Sequence, residues 1–202
     1  MANYTDQSKI EEYLGTTLDT DFAGALDVWI RAVERYINGI TGRIFTLDTA
    51  DATKYYDGRN EDTLFIADLN SLTSLVVKSS DLTTTDHTCT SSDYLLLPLN
   101  KPSDEPYTAI RVHPNGYYLN WPAGIKRIEV TGRFGWPKIP EDIKLAATML
   151  VASLYEERHT ANRQASSERL GEYSITYDKL DDNARRLRVD AILGQFMRFS
   201  YV

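Results

Sequence analysis

Three stretches hold residue types that could do chemistry. The first is Asp86, His87 and Cys89 in the polar segment "DLTTTDHTCTSSD", residues 81–93. Asp, His and Cys all bind zinc, but a zinc site takes four ligands and no second pair at ligand spacing occurs; His113 and His159 stand alone. His87 could also lower the pKa of Cys89, which gives an enzyme reading with Cys89 as nucleophile and His87 as base. Nucleophile, base and orienting group usually converge from separated segments, so a solvated loop is the plainer expectation. The neighbouring pairs Glu156–Glu157 and Asp181–Asp182 read as surface and helix-start acids. The sequence therefore assigns no catalytic residue, no metal site and no cofactor.

The second stretch is "TGRFGWPKIPEDIKLAATML", residues 131–150. A glycine-rich turn feeding a helix can hold a phosphate. A phosphate loop needs a Lys-Ser/Thr pair at the helix start, whereas this helix opens Ile139-Pro140-Glu141-Asp142, which repels phosphate. A Gly-x-x-Gly nucleic-acid clamp needs helices on both sides, and a strand-like run precedes this one. The structural reading remains: Gly135 permits an unusual backbone angle, Trp136 covers a core edge, and two prolines stiffen the helix entry.

The third stretch is the end of the chain, "ARRLRVDAILGQFMRFSYV". It carries Arg185, Arg186, Arg188 and Arg198, and Phe196, Met197, Phe199, Tyr201 and Val202 crowd its last seven positions. So apolar a tail either folds back on its own chain or docks on a partner. A further aromatic set, Tyr55, Tyr56, Tyr94, Tyr117, Tyr118 and Trp121, could form a stacking surface for a small ligand or single-stranded nucleic acid. Ordinary strand preferences explain the same residues as strand and core aromatics.

The 202 residues allow one large domain, or one domain with a sizeable insertion. Net charge is −7, which disfavours gripping DNA through its phosphates but suits the wall of a passage that DNA slides through. One cysteine allows no intrachain disulfide and fits a reducing compartment. The first residues lack a signal-peptide pattern, and no apolar run approaches the ~18 residues of a membrane span. Synthesis in the cytosol, without a membrane partner, is the expectation.

The elements fall into three zones. Residues 5–42 read as a short helix capped by Thr5 or Asp6 and ending near Gly15. A longer helix follows, with Phe22, Leu26, Trp29, Val33, Ile37 and Ile40 on one face and Gly42 at its end. Residues 43–135 read as strands: "ATKYYDG", "TLFIADL", "SLTSLVVK", "DYLLLPLN", "TAIRVHP", "YYLNWPAG" and "IKRIEVTGRFG". From Pro140 a helix runs through a charged stretch to Gly171; "EYSITYD" alternates like a strand, and a last helix follows Asp181 or Asp182. The expected class is α+β: a helical bundle core from the N- and C-terminal helices, residues 1–42 with 136–202, and an inserted antiparallel β-rich region, 43–135.

In order along the chain, four segments resemble the head–tail connector proteins of tailed phages, also called head-completion or adaptor proteins. They are "AVERYINGITGRIF" with its Thr-Gly-Arg step, "YYDGRNEDTLFIADLNSLTSLVV", "GRFGWPKIPEDIKLAATMLVASLYEER" and "ERLGEYSITY". The second is similar to the strand section of longer members; the third is the most specific. The resemblance implies a structural, non-enzymatic virion protein. It would form a homo-oligomeric ring, dodecameric in the particle, beneath the portal protein of the DNA-filled head. Its other partners would be a tail-side connector or stopper protein and genomic DNA passing through the lumen without sequence-specific binding. Its expected location is the head–tail interface of the virion, after assembly in the host cytoplasm. On this reading Phe196, Met197, Arg198, Phe199, Tyr201 and Val202 form the contact with the portal or a neighbouring subunit.

Overall fold

The computed structural model describes residues 3–19, 22–162, 167–170, 173–176 and 182–198. The chain divides into two compact units, residues 1–42 with 140–202, and residues 43–139.

In the first unit, Asp6 caps α1 (Gln7–Leu14) by accepting the Lys9 amide at 3.0 Å, and Gly15 ends it at φ 67°. Helix α2 (Ala23–Thr41) buries Leu26, Ile30, Val33 and Ile37 on one face. Gly42, at φ 65°, closes it by donating its amide to the Asn38 carbonyl at 2.9 Å, a glycine C-cap. After Pro140, α3 (Glu141–Asn162) buries Ile143, Ala146, Ala147, Val151, Ala152 and Tyr155. Strands β7 (Ser167–Leu170) and β8 (Tyr173–Thr176) pair antiparallel, and α4 (Asp182–Phe196) buries Val189 and Leu193. Helices α1, α2 and α4 each touch α3. The buried hydroxyls of Thr5 and Thr148 meet at 2.7 Å, and Tyr4 donates its amide to Glu34 and its hydroxyl to Asn38.

In the second unit, β1 (Ala52–Gly58), β2 (Thr63–Lys78), β3 (Thr85–Thr88), β4 (Tyr94–Leu97), β5 (Tyr107–Val112) and β6 (Gly124–Phe134) form a six-stranded antiparallel sheet. Its order is β1-β6-β2-β5-β4, with β3 paired to β2. Strand β2 serves two sets of neighbours: Thr63 to Leu69 face β5, and Leu69 to Val77 face β6. Irregularities between Phe65 and Leu69, Leu69 and Ser71, and Leu72 and Ser74 separate the two halves. Leu64 and Ile66 are buried before them, Leu75 and Val77 after them, so the inward parity changes along one strand. These side chains share a core with Ile110, Val112, Trp121, Ile128, Val130 and Phe134.

The expected helical bundle core is not the architecture of the chain. The described residues hold four helices and a six-stranded antiparallel sheet, and the helices are spread between strands, with β1–β6 between α2 and α3 and β7–β8 between α3 and α4. The physical reason lies in the helix lengths and faces. Helix α1 has 8 residues and buries only Ile10, too short to supply the stacked layers of a bundle. The sheet, in contrast, encloses a contiguous apolar cluster of its own. Three smaller expectations also change. "TLFIADL" and "SLTSLVVK" are one 16-residue strand, "YYLNWPAG" is a loop up to Gly124, and the helix after Pro140 ends at Asn162, with β7 beyond it.

Candidate interaction surfaces

The end of α4 carries the described part of the sequence-based contact. Phe196 is half-buried, Met197 is 49% exposed and Arg198 is half-buried. The Arg198 amide donates to the Thr41 carbonyl at 2.9 Å, so the chain leaving α4 supplies a partner to the C-terminal end of α2. The Arg198 Cβ lies 3.6 Å from where a Cβ on Gly42 would stand. Phe199, Tyr201 and Val202 lie outside the described residues. Arg185 points inward to Glu156 and to the Ser153 hydroxyl at 3.2 Å, with its guanidinium 5.7 Å from the Tyr13 ring centre. Arg186, Leu187 and Arg188 are exposed.

The Asp86–His87–Cys89 stretch is not an open loop. Residues 85–88 are strand β3, and its residues are tied to the loop that follows β5. His87 Nε2 lies 3.3 Å from Asp93 Oδ2, and its ring stacks on Tyr117 at 4.0 Å between centres. Asp86 accepts the Tyr118 hydroxyl at 2.7 Å and faces Arg127 at 3.8 Å. Asp93 takes the amides of Thr90 and Tyr117, and these bonds hold its carboxyl well below the usual range. Burial, reinforced by the Asp93 charge, pushes the Cys89 thiol up to about 12. A thiol so raised is protonated at neutral pH and is a poor nucleophile, which counts against the enzyme reading. Among the described residues no group of three His, Cys, Asp or Glu side chains is placed to hold a metal ion.

The six aromatic residues do not form one stacking platform. Trp121 is buried with its Nε1 donating to the Ile110 carbonyl at 3.1 Å, and the Tyr56 hydroxyl accepts the Ala67 amide at 2.9 Å. Tyr94 is half-buried, the Tyr118 hydroxyl is held by Asp86, and Tyr55 and Tyr117 are exposed.

The glycines of this stretch, Gly132 and Gly135, form a close-packed joint inside the second unit. A Cβ on Gly135 would stand 2.0 Å from the Thr46 carbonyl oxygen, and one on Gly132 would stand 2.2 Å from that of Ser71. Gly135 adopts φ 102° and donates its amide to the Asp68 carbonyl at 2.7 Å. The Asp68 carboxylate, 5% exposed, accepts from Trp136 Nε1 at 3.1 Å and pairs with Arg43. Sequence reasoning passed over Asp68. Its signal was a single carboxylate inside the apolar run "LFIADL", where an acid needs a buried partner.

Among the described residues no helix is long and apolar enough to cross a membrane. The chain matches no protein-family model and no curated relative. The described residues define an α+β arrangement of four helices and a six-stranded antiparallel sheet. That fold is similar to a chain in a structure described as the neck of an empty gene transfer agent (GTA) particle computed with C6 symmetry. The TM-score is 0.54 at 17% identity, over 96% of this chain and 90% of that one. A chain in the virion of a native GTA particle aligns over the same shares at 17% identity and a TM-score of 0.48. At this identity the first likeness is one of fold.

Proposed function

We propose that the protein is a structural subunit of the neck of a phage-like particle, where copies of it form a ring that joins the DNA-filled head to the tail. The observation that carries this reading is the fold shared, over nearly the whole chain, with a chain of the GTA neck structure. The ordered resemblance to head–tail connector segments supports it independently. In this role the protein binds the portal protein on one side and a tail-side connector or stopper on the other, and does no catalysis.

The net charge of −7 fits the role. Repeated around a ring, it gives a negative lumen that repels DNA phosphates and lets the genome pass without sticking. The end of α4 supplies the portal or neighbour contact. Phe196, Met197 and Arg198 begin it, and Phe199, Tyr201 and Val202 continue it, since aromatic and Arg side chains are favoured interface anchors.

The test mixes the portal protein with the full chain and with a chain truncated before Gln195. Loss of binding and of ring formation in the truncated chain, with its fold retained, is the expected result. Undiminished binding and ring formation would remove the terminal segment from the interface.

A further inference from the structure

Helix α2 is apolar on two sides. Its inner face buries Leu26, Ile30, Val33 and Ile37. On the opposite side Val28, Ala32 and Tyr36 follow one another at every fourth position, which makes them a single ridge on the helix surface. Val28 is 56% exposed and Tyr36 47%. The outer face of a helix that packs on one side normally carries charged and polar residues. Beside this ridge runs a second row, Arg31, Arg35 and Gly39, all exposed. Arg31 Nε donates only as far as its own helix, to the Asp27 carbonyl at 3.1 Å. Among the described residues a Cβ on Gly39 would meet nothing within 4 Å, so none of them calls for glycine there, although glycine weakens a helix interior.

We infer that this outer face of α2 docks a second copy of the same chain. The choice of a second copy rests on the ring reading above. The charges then specify what part of that copy it meets. Two such faces packed on each other would bring the arginine row of one copy, Arg31 and Arg35, beside that of the other, which is repulsive. The complement must be an acidic surface elsewhere on the neighbour. The chain carries seven more negative than positive charges, and in the first unit Glu12 of α1 and Asp142 and Glu157 of α3 are exposed. The contact is therefore between two different patches. Such a head-to-tail contact propagates from copy to copy and closes into a ring when the rotation allows. Val28, Ala32 and Tyr36 supply the apolar contact, Arg31 and Arg35 the choice of partner surface, and Gly39 room for close approach.

The experiment uses the full chain, alone up to millimolar concentration and with the portal protein of its own particle. Sedimentation reads stable association, and concentration-dependent amide shifts read weak association. Two variants alter the face, Ala32→Trp and the pair Arg31→Glu with Arg35→Glu; Leu119→Ser, at an exposed position in the second unit, is the control. Circular dichroism checks that each folds. The inference expects wild type and control to associate alike and both α2 variants to associate at least roughly tenfold more weakly, the effect of losing an interface anchor. A thiol-anchored photo-cross-linker on Ala32→Cys in a Cys89→Ser background, which reacts with any side chain in reach, should capture α1 or α3 of the neighbour. Equal association of all forms, or a cross-link between two α2 helices, overturns the inference and leaves the ring reading standing. Absence of any self-association by wild type, with or without portal, overturns both.

Discussion

The indole of Trp136 and the carboxylate of Asp68 are joined by a 3.1 Å hydrogen bond, and Arg43 pairs with the other carboxylate oxygen. Three distant segments of the second unit thus meet on one buried acid. The Asp68 carbonyl adds the Gly135 amide. Asp68→Ala deletes the acceptor and leaves the Arg43 charge without this partner, so it should cost on the order of 3 kcal/mol. Asp68→Asn, which keeps an acceptor for the indole, should cost less. Urea unfolding followed by tryptophan fluorescence measures both; equal losses would show that the charge is immaterial.

Gly135 and Gly15 both have positive φ, at 102° and 67°, but only Gly135 is crowded. Gly15→Ala meets open space and should cost about 1 kcal/mol for the left-handed backbone. Gly135→Ala adds a collision with the Thr46 carbonyl and should cost roughly 3 kcal/mol or more, enough to lower soluble yield. Thermal melts of the two variants give the ranking, and the reverse order would contradict the packing of this joint.

Cys89 should be slow toward thiol reagents. With its thiol pushed up to about 12 by burial first and the Asp93 charge second, its reaction at neutral pH should be roughly a hundredfold slower than that of a free cysteine peptide. Absorbance assays with an aromatic disulfide follow the rate. Asp93→Asn removes the repelling charge and should raise it modestly. A wild-type rate equal to that of the peptide would contradict the burial of the thiol, and only a faster one would restore the enzyme reading.

Acid should destabilise the second unit through Asp93 and Asp81. The amides of Thr90 and Tyr117 hold Asp93 well below the usual range, and the Ser79 hydroxyl, then Thr83, hold Asp81 down to about 2. A carboxyl depressed in the folded state stabilises it above the unfolded pKa, near about 4, and that contribution is lost as pH falls through the folded value. Stability should therefore decline from about pH 4 toward pH 2, and Asp93→Asn should flatten this limb. Denaturant midpoints across that range test it; an unchanged slope in Asp93→Asn would assign the acid sensitivity elsewhere.

Much of the fold could be read from local chemistry, and the failures share a cause. Asp6, Gly15, Gly42 and Pro140 bound their helices because capping and backbone freedom act over a few residues. The length of β2 was not legible, because irregularities after Phe65 reverse its inward parity and make one strand look like two. Nor was the loop character of "YYLNWPAG": Trp121 is buried by a tertiary contact, its indole reaching the Ile110 carbonyl, and its neighbours only look strand-like. The bundle was overestimated because an apolar face says that a helix packs, not on what. Among the interaction surfaces, the crowded aromatic end of the chain was visible in composition. The outer ridge of α2 was not, since Val28 and Tyr36 lie off the apolar face that carries Leu26 and Ile37, and only their exposure singles them out.

The role proposed for this chain is that of a neck ring subunit. Native mass spectrometry of the full chain mixed with the portal protein of its own particle is the decisive experiment. The expected result is a complex in which a fixed multiple of chains, matching a closed ring, is bound to the portal assembly. A chain that stays monomeric and unbound beside the assembled portal would contradict it.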